Sequence, residues 1–350
     1  MIDSMSGKRP PEHQQADPFG ERERPTFGRT FDVLGGRFEF HADSQSLLAV
    51  VEAAYAGLPP QRCASEPAFQ VRLQLTDGAG FGDRAEPPEA RMRGGEGMFA
   101  AMMDADNFAV VFPEQRRGLV ALSPALLHRF PYHARYELLE FAVFTLASRA
   151  RQLVPLHAGC IDIAGTGVLL VGESGAGKST LALQCLLQGG RLVTEDAAFV
   201  DADQLMAMGV ANFLHLREDA LPWIVDAAMT MRVRRSPVIR RRSGVEKFEL
   251  DLRQDAGLIA AGPAILGAIV FISKETAPDS RQALMRVEPD RISARLAASQ
   301  PYAAHLPGWD AFAERLASLQ AFEFKRGLHP RDAAGALRES IGRPSGTTPA

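Results

Sequence analysis

Cysteine is scarce: Cys63, Cys160 and Cys185 are the only three in 350 residues. Odd in number and far apart, they form neither a disulfide framework nor a zinc pattern. Cys160 and Cys185 lie in apolar segments and read as small buried hydrophobes. No apolar run approaches the length of a membrane-spanning helix. The first 25 residues lack the apolar core of a signal peptide. Together these absences predict a cytoplasmic chain with no membrane partner. Net charge is also lacking, at −3 with a pI near 6.3, so nothing draws the chain non-specifically to nucleic acid. Arg232, Arg234, Arg235, Arg240, Arg241 and Arg242 cluster locally, a pattern more often a solvated face than a binding surface.

What is present suits a globular protein. Hydrophobic residues make up 46% and charged residues 23%, and the length allows two domains, or one large domain with extensions. Residues 1–26 and 338–350 read as loose polar tails. Residues 27–130 read as a smaller α+β domain. Phe31–Phe40 alternates around Gly35-Gly36, Ser44–Ala56 has helical spacing with Asp43 or Ser44 as N-cap, and Phe69–Leu75 alternates as a strand. Phe108–Phe112 and Gly118–Ala121 are further strand candidates, and 80–97, rich in Gly, Pro and charge, reads as a loop. His133–Arg151, within 131–152, reads as an amphipathic connecting helix. Beyond it, over 153–337, apolar runs at 156–164, 167–171, 191–195, 197–201, 210–216 and 264–273 alternate with helices. Helical spacing returns at 289–299 and 309–321. The expected fold class is α/β, a sheet covered by helices.

The strongest local signal is Gly172-Glu173-Ser174-Gly175-Ala176-Gly177-Lys178-Ser179-Thr180, which fits G-x-x-x-x-G-K-[ST]. Val168–Val171 reads as a strand feeding it, and Leu181–Leu187 as a helix leaving it, stopped by Gly189-Gly190. Glycines let backbone N–H groups turn toward a phosphate, and the helix N-terminus adds a favourable dipole. Lys178 would reach the β- and γ-phosphates and Ser179 would ligate Mg²⁺, so the expectation is ATP with Mg²⁺. Glu195 and Asp196 end the apolar strand that begins at Arg191, placed to hold Mg²⁺ or to take a proton from an incoming hydroxyl. His157 stands at another strand end, where a lone His is more often a structural hydrogen-bonder than a catalyst.

Leu156–Asp201 resembles the catalytic core of the HPr kinase/phosphorylase family, which is similar in fold to ATP-dependent phosphoenolpyruvate carboxykinases. The residues that carry the resemblance are Leu156-His157-Ala158, the loop Gly172–Ser179, and Arg191-Leu192-Val193-Thr194-Glu195-Asp196. The gaps from His157 to Lys178 and from Lys178 to Asp196 match the family spacing without insertion. The resemblance implies a P-loop kinase core. In it Asp196 is the base toward a serine hydroxyl, His157 supports Asp196, and Lys178 and Ser179 bind phosphate and Mg²⁺. Glu195 replaces the first Asp of the family's Asp-Asp. The family's later E-[IV]-R-G-L-G signature, whose Glu helps bind Mg²⁺, is not found. Asn212–Asp219 occupies roughly that place, and Glu218 is the candidate for the missing carboxylate. The P-x-[KR]-P-G-R-N-like stretch of the reverse reaction is also not found. Ser236–Arg242 and Lys247–Glu249 lie near there instead, and those arginines would either clamp a phosphate or face water.

The implied partner is a small protein or peptide carrying an acceptor Ser, with a homo-oligomer as a further implication. The alternatives are a P-loop ATPase or nucleotide sensor, a peptide-tailoring kinase, a small-molecule kinase, and carboxykinase-like chemistry.

Overall fold

The computed structural model describes residues 27–61, 68–78 and 80–341. The expected tail at 1–26, most of that at 338–350, and Cys63 lie outside the described residues. The architecture is mixed α/β, and the described strands form sheets of seven, nine and three strands.

The first sheet runs in the spatial order Phe27–Val33, Gly36–Ala42, Ala68–Leu75, Arg117–Leu122, Phe108–Phe112, Met98–Met102, Arg91–Gly95. Gly36–Ala42, Ala68–Leu75 and Arg117–Leu122 are parallel neighbours, and the other pairs are antiparallel. Alternation decides which face is covered. In Ala68–Leu75 the apolar Phe69, Val71 and Leu73 are buried, while Ala68, Gln70 and Arg72 are exposed. The helix Gln45–Tyr55, capped by the Ser44 side chain accepting from the Ser46 N–H, packs on the buried face. A continuous helical run, residues 131–150, packs beside it through Leu138, Leu139, Ala142, Val143 and Leu146. Each fully buried Leu or Val contributes roughly 1.5–3 kcal/mol of transfer free energy, so this run is tied firmly to the first sheet. The helix expected to bridge two domains is thus part of the first core. Its residues Ala134–Leu139 form a π-helical turn, an irregularity frequent at functional sites.

The second sheet carries the glycine loop. Thr166–Val171 lies between Ala158–Ile163, antiparallel, and Ala264–Thr276, parallel; Gln320–Arg326 runs parallel on the far side of Ala264–Thr276. These central strands are apolar on both faces, as helices on both sides require. Val168, Leu170, Ala268 and Val270 pack with the helices Lys178–Leu186 and Pro330–Ile341. Leu169, Val171, Ile269 and Phe271 pack with Pro289–Ser299 and Trp309–Ala317 on the opposite face. A small sheet of Phe213–Leu216, Glu246–Asp251 and Val238–Arg240 adds to the first of these layers. The two halves of the chain are packed together: Phe144 meets Phe199 at 4.9 Å between ring centroids, and the Asn212 side chain donates to the Ala54 carbonyl at 2.8 Å.

Three local expectations differ from the structure. Arg91–Gly95 is a strand inside the stretch expected to be a loop. All five of its residues are exposed at the sheet edge, so no burial pattern marks it. Helical spacing expected to 321 stops at Ala317, because Gln320–Arg326 pairs as a strand. The helix Pro330–Ile341 runs into the stretch expected to be tail, buried through Ala333, Ala334 and Leu337.

Candidate active site

Strand, glycine loop and helix follow one another as the phosphate-binding motif requires. The strand ends at Val171, the helix begins at Lys178, and Gly175 and Gly177 between them have φ of +76° and +113°. These are left-handed conformations that side chains resist. A Cβ on Gly172 would come within 2.6 Å of the Ile272 carbonyl oxygen, so the loop can leave the sheet only through a glycine. The helix stop is also as expected, with the Gly190 N–H donating to the Cys185 carbonyl at 2.9 Å.

Lys178 is buried at the loop's end, its Nζ donating to the Gly172 carbonyl at 2.6 Å. It also stands 3.4 Å from His157 Nε2 and 3.9 Å from Asp196 Oδ1. Burial lowers its pKa against the opposing pull of Asp196. His157 Nδ1 faces Asp196 Oδ1 at 3.5 Å, longer than the roughly 2.6–3.2 Å of a tight catalytic hydrogen bond. Three residues widely separated in sequence therefore meet on one side of the sheet at the mouth of the loop. Ser179 Oγ donates to Glu195 Oε1 at 2.9 Å. Glu173 is exposed and ion-paired with Lys274 at 2.8 Å. Ser174, Gly175, Ala176 and Thr180 border the cleft with the rest of the loop.

Glu218 is not brought in. It is exposed in the first turn of a short helix, and its neighbours Arg217 and Asp219 line the cleft instead. All four residues of the strand Phe213–Leu216 are buried, and the one that reaches Glu195 is His215, three positions earlier.

His215 is fully buried, with Nδ1 2.5 Å from Glu195 Oε2, Nε2 3.2 Å from Glu249 Oε1, and its main-chain N–H donating to Glu195 Oε1 at 3.2 Å. Glu249 in turn pairs with Arg135, and Tyr136 Oη lies 3.2 Å from His215 Nε2. Burial alone would raise the pKa of Glu195. The charge and hydrogen bond of His215 outweigh it and hold the carboxyl well below the usual range. The same contacts, again against burial, raise His215 and lower Glu249.

Arg241 completes the cluster. Its guanidinium lies 3.9 Å from Glu195 Oε2 and from Asp196 Oδ2, over the rings of Tyr132 and Tyr136 at 5.8 and 5.5 Å. Its Nε and Nη2 are buried without a hydrogen-bond partner, as are the Nε atoms of Arg37, Arg135 and Arg232. Tyr132, Arg135 and Tyr136 come from the helical run tied to the first sheet, so the first half of the chain helps build the site. Their spacing of three and four residues on one helix face was the available sequence signal. For His215 it was a titratable residue inside an apolar strand.

Two clefts meet at Asp196 and His157. One, of about 1060 Å³, runs along the loop past Lys247, Arg241, Arg217 and Arg326 to Trp223 and Leu328. The other, of about 990 Å³, runs between Phe271 and the stretch Gln300–Ala303. Such an arrangement can hold a polyanion on one side of a carboxylate and a second reactant on the other. Ser179 Oγ and an ionised Glu195 are oxygen donors of the kind Mg²⁺ prefers. Among the described residues no group of three or more His, Cys, Asp or Glu forms a metal cage.

The comparisons with known proteins fall on this site. Residues 148–215 match the HPr Serine kinase C-terminal domain. Over 52 residues the chain is 46% identical to an HPr kinase/phosphorylase of Clostridium beijerinckii, covering 15% of this chain and 17% of that protein. Over 62 residues it is 45% identical to an HPr kinase/phosphorylase of Xanthomonas campestris pv. campestris, covering 18% and 20%. The likeness to HPr kinases lies in the segment that builds the loop. The match spans about a fifth of the length of these curated relatives. A solved structure, the Hpr(Ser) kinase/phosphatase from Coxiella burnetii, aligns with 53% of this chain and 95% of its own at 14% identity and a TM-score of 0.30. No helix among the described residues is long and apolar enough to cross a membrane.

Proposed function

We propose that this protein is an ATP-dependent kinase that phosphorylates a Ser hydroxyl on a small protein or peptide. The observation that carries the reading is the convergence of His157, Lys178 and Asp196 at the loop mouth, where the two clefts join. The glycine loop and Lys178 bind the β- and γ-phosphates, their N–H groups and charge offsetting the negative charge that phosphoryl transfer must accommodate. Ser179 and Glu195 would hold Mg²⁺, which would supply further neutralisation of that charge. The acceptor enters from the second cleft. Its oxygen bonds to the γ-phosphorus while the bond from phosphorus to the ADP oxygen breaks, and its proton passes to Asp196. His157 orients Asp196, and the Arg241 guanidinium adds positive charge beside the transferring phosphate. Release of ADP ends the cycle.

The test is transfer from γ-labelled ATP to candidate small proteins encoded beside this one, followed by location of the label. Asp196→Asn should abolish labelling while MgATP still binds. Labelling at the wild-type rate in that variant would remove Asp196 from the role of base. ATP hydrolysis with no label on any protein or peptide would favour an ATPase instead.

A further inference from the structure

His157 stands where the chain passes from one set of strand partners to another. Val154–Leu156 before it pairs with Ala198–Asp201, whereas Ala158–Ile163 after it pairs with Thr166–Val171 and Arg191–Thr194. The main-chain N–H and C=O of His157 therefore fall outside both ladders. The side-chain amide of Gln300 occupies the vacant positions. Its Oε1 accepts from the His157 N–H at 2.7 Å and its Nε2 donates to the His157 carbonyl at 3.1 Å. Gln300 is 3% exposed. Its own main chain is held too: its N–H closes the helix Pro289–Ser299 on Leu296 at 2.9 Å, and its carbonyl accepts from Ala304 at 2.9 Å.

This clamp matters because little else holds the imidazole. The His157 side chain is 54% exposed, and its polar contacts are the long ones to Asp196 and Lys178 at 3.5 and 3.4 Å. With the ring so loosely held at its tip, the main chain sets its place. We propose that Gln300 is the positioning residue for His157, holding the imidazole in the gap between Asp196 and Lys178. The proposal rests on the reading of that gap as the transfer centre. It also gives a reason for an amide at this position, since only a side chain with both a donor and an acceptor satisfies both His157 main-chain groups. Because Gln300 begins the wall of the second cleft, the acceptor's binding surface and the histidine share one rigid support.

The experiment compares full-length wild type with Gln300→Ala and Gln300→Glu. It reads turnover of MgATP with water as acceptor, MgATP affinity, thermal midpoint, and the His157 Cε1–H proton resonance, assigned by its loss in His157→Asn. In Gln300→Ala, kcat should fall about 10–100-fold while KM for ATP stays within about twofold, the size of loss expected when a reacting group shifts by about 1 Å. The His157 resonance should move. Gln300→Glu keeps an acceptor for the N–H, but donates to the carbonyl only when its carboxyl is protonated. Its activity relative to wild type should therefore rise as pH falls. Loss of thermal midpoint alone, with kcat per folded molecule and the His157 resonance unchanged, would overturn the proposal and leave Gln300 a structural link. If wild type binds no MgATP, the kinase reading fails, and the resonance comparison still decides for or against Gln300.

Discussion

Replacing His215 with Leu tests the electrostatic core of the site. The ring is fully buried between two carboxylates, at 2.5 Å from Glu195 and 3.2 Å from Glu249, with Tyr136, Arg135 and Arg241 around them. Leu fills similar space but leaves Glu195 and Glu249 without their shared cation. Breaking a buried ion pair from one side costs about 3–5 kcal/mol. At on the order of 2 °C per kcal/mol for a chain of this size, the thermal midpoint should drop about 6–10 °C. The pH dependence fixes the cause. The pKa of His215 is raised above 6.5, so its contribution is full below that value and fades as pH climbs through the raised one. Glu195 and Glu249 are lowered from 4.5, so theirs is full above that value and fades as pH falls through the lowered ones. The deficit of His215→Leu should be complete between those values, then narrow as pH climbs through the raised His215 value and the wild-type ring loses its proton. Thermal melts of both proteins across that range measure it. A deficit that never narrows as pH is raised from about 6 to the alkaline limit of folding would refute the ion-pair account and leave only packing.

Arg241→Ala removes the guanidinium beside Glu195 and Asp196, and kcat should fall about 10²–10³-fold, with Arg241→Lys restoring little because an ammonium lacks the planar fork. Steady-state turnover of MgATP reads it, and an unchanged kcat would place Arg241 outside the transfer step. Lys178→Ala should weaken MgATP binding about 10–100-fold, the worth of one charge-assisted hydrogen bond, by calorimetric titration; unaltered affinity would detach Lys178 from phosphate. Gly209→Ala puts a Cβ 2.2 Å from Thr194 Cβ, one residue before Glu195, and overpacking of this kind costs about 1–3 kcal/mol. A melting temperature equal to wild type would show that the strand ending at Thr194 yields more easily than its packing indicates.

Legibility tracked how local the physics was. The strand, loop and helix around Gly172–Ser179 were readable because each depends on consecutive residues. So were the alternation of Phe69, Val71 and Leu73, and the helix at 289–299. Arg91–Gly95 was not readable, since an exposed edge strand owes its conformation to pairing with Met98–Met102 rather than to any burial of its own. Glu218 was chosen by its distance along the chain, but the strand ends at Leu216, so Glu218 falls in the exposed short helix beyond it while His215 lies within the strand against Glu195.

The sequence by itself determined the phosphate cradle, its lysine and the spacing to a strand-end carboxylate, because backbone conformation and charge within a short stretch suffice for these. Only the tertiary structure decided what stands around that carboxylate. Glu195 draws its partners from His215 on one strand, with Glu249 on the next and Arg135 on a helix of the other half of the chain behind it. His157 takes its support from Gln300, 143 residues away. Such contacts depend on sheet register and helix packing, which set distances to within an ångström and are properties of the whole folded chain.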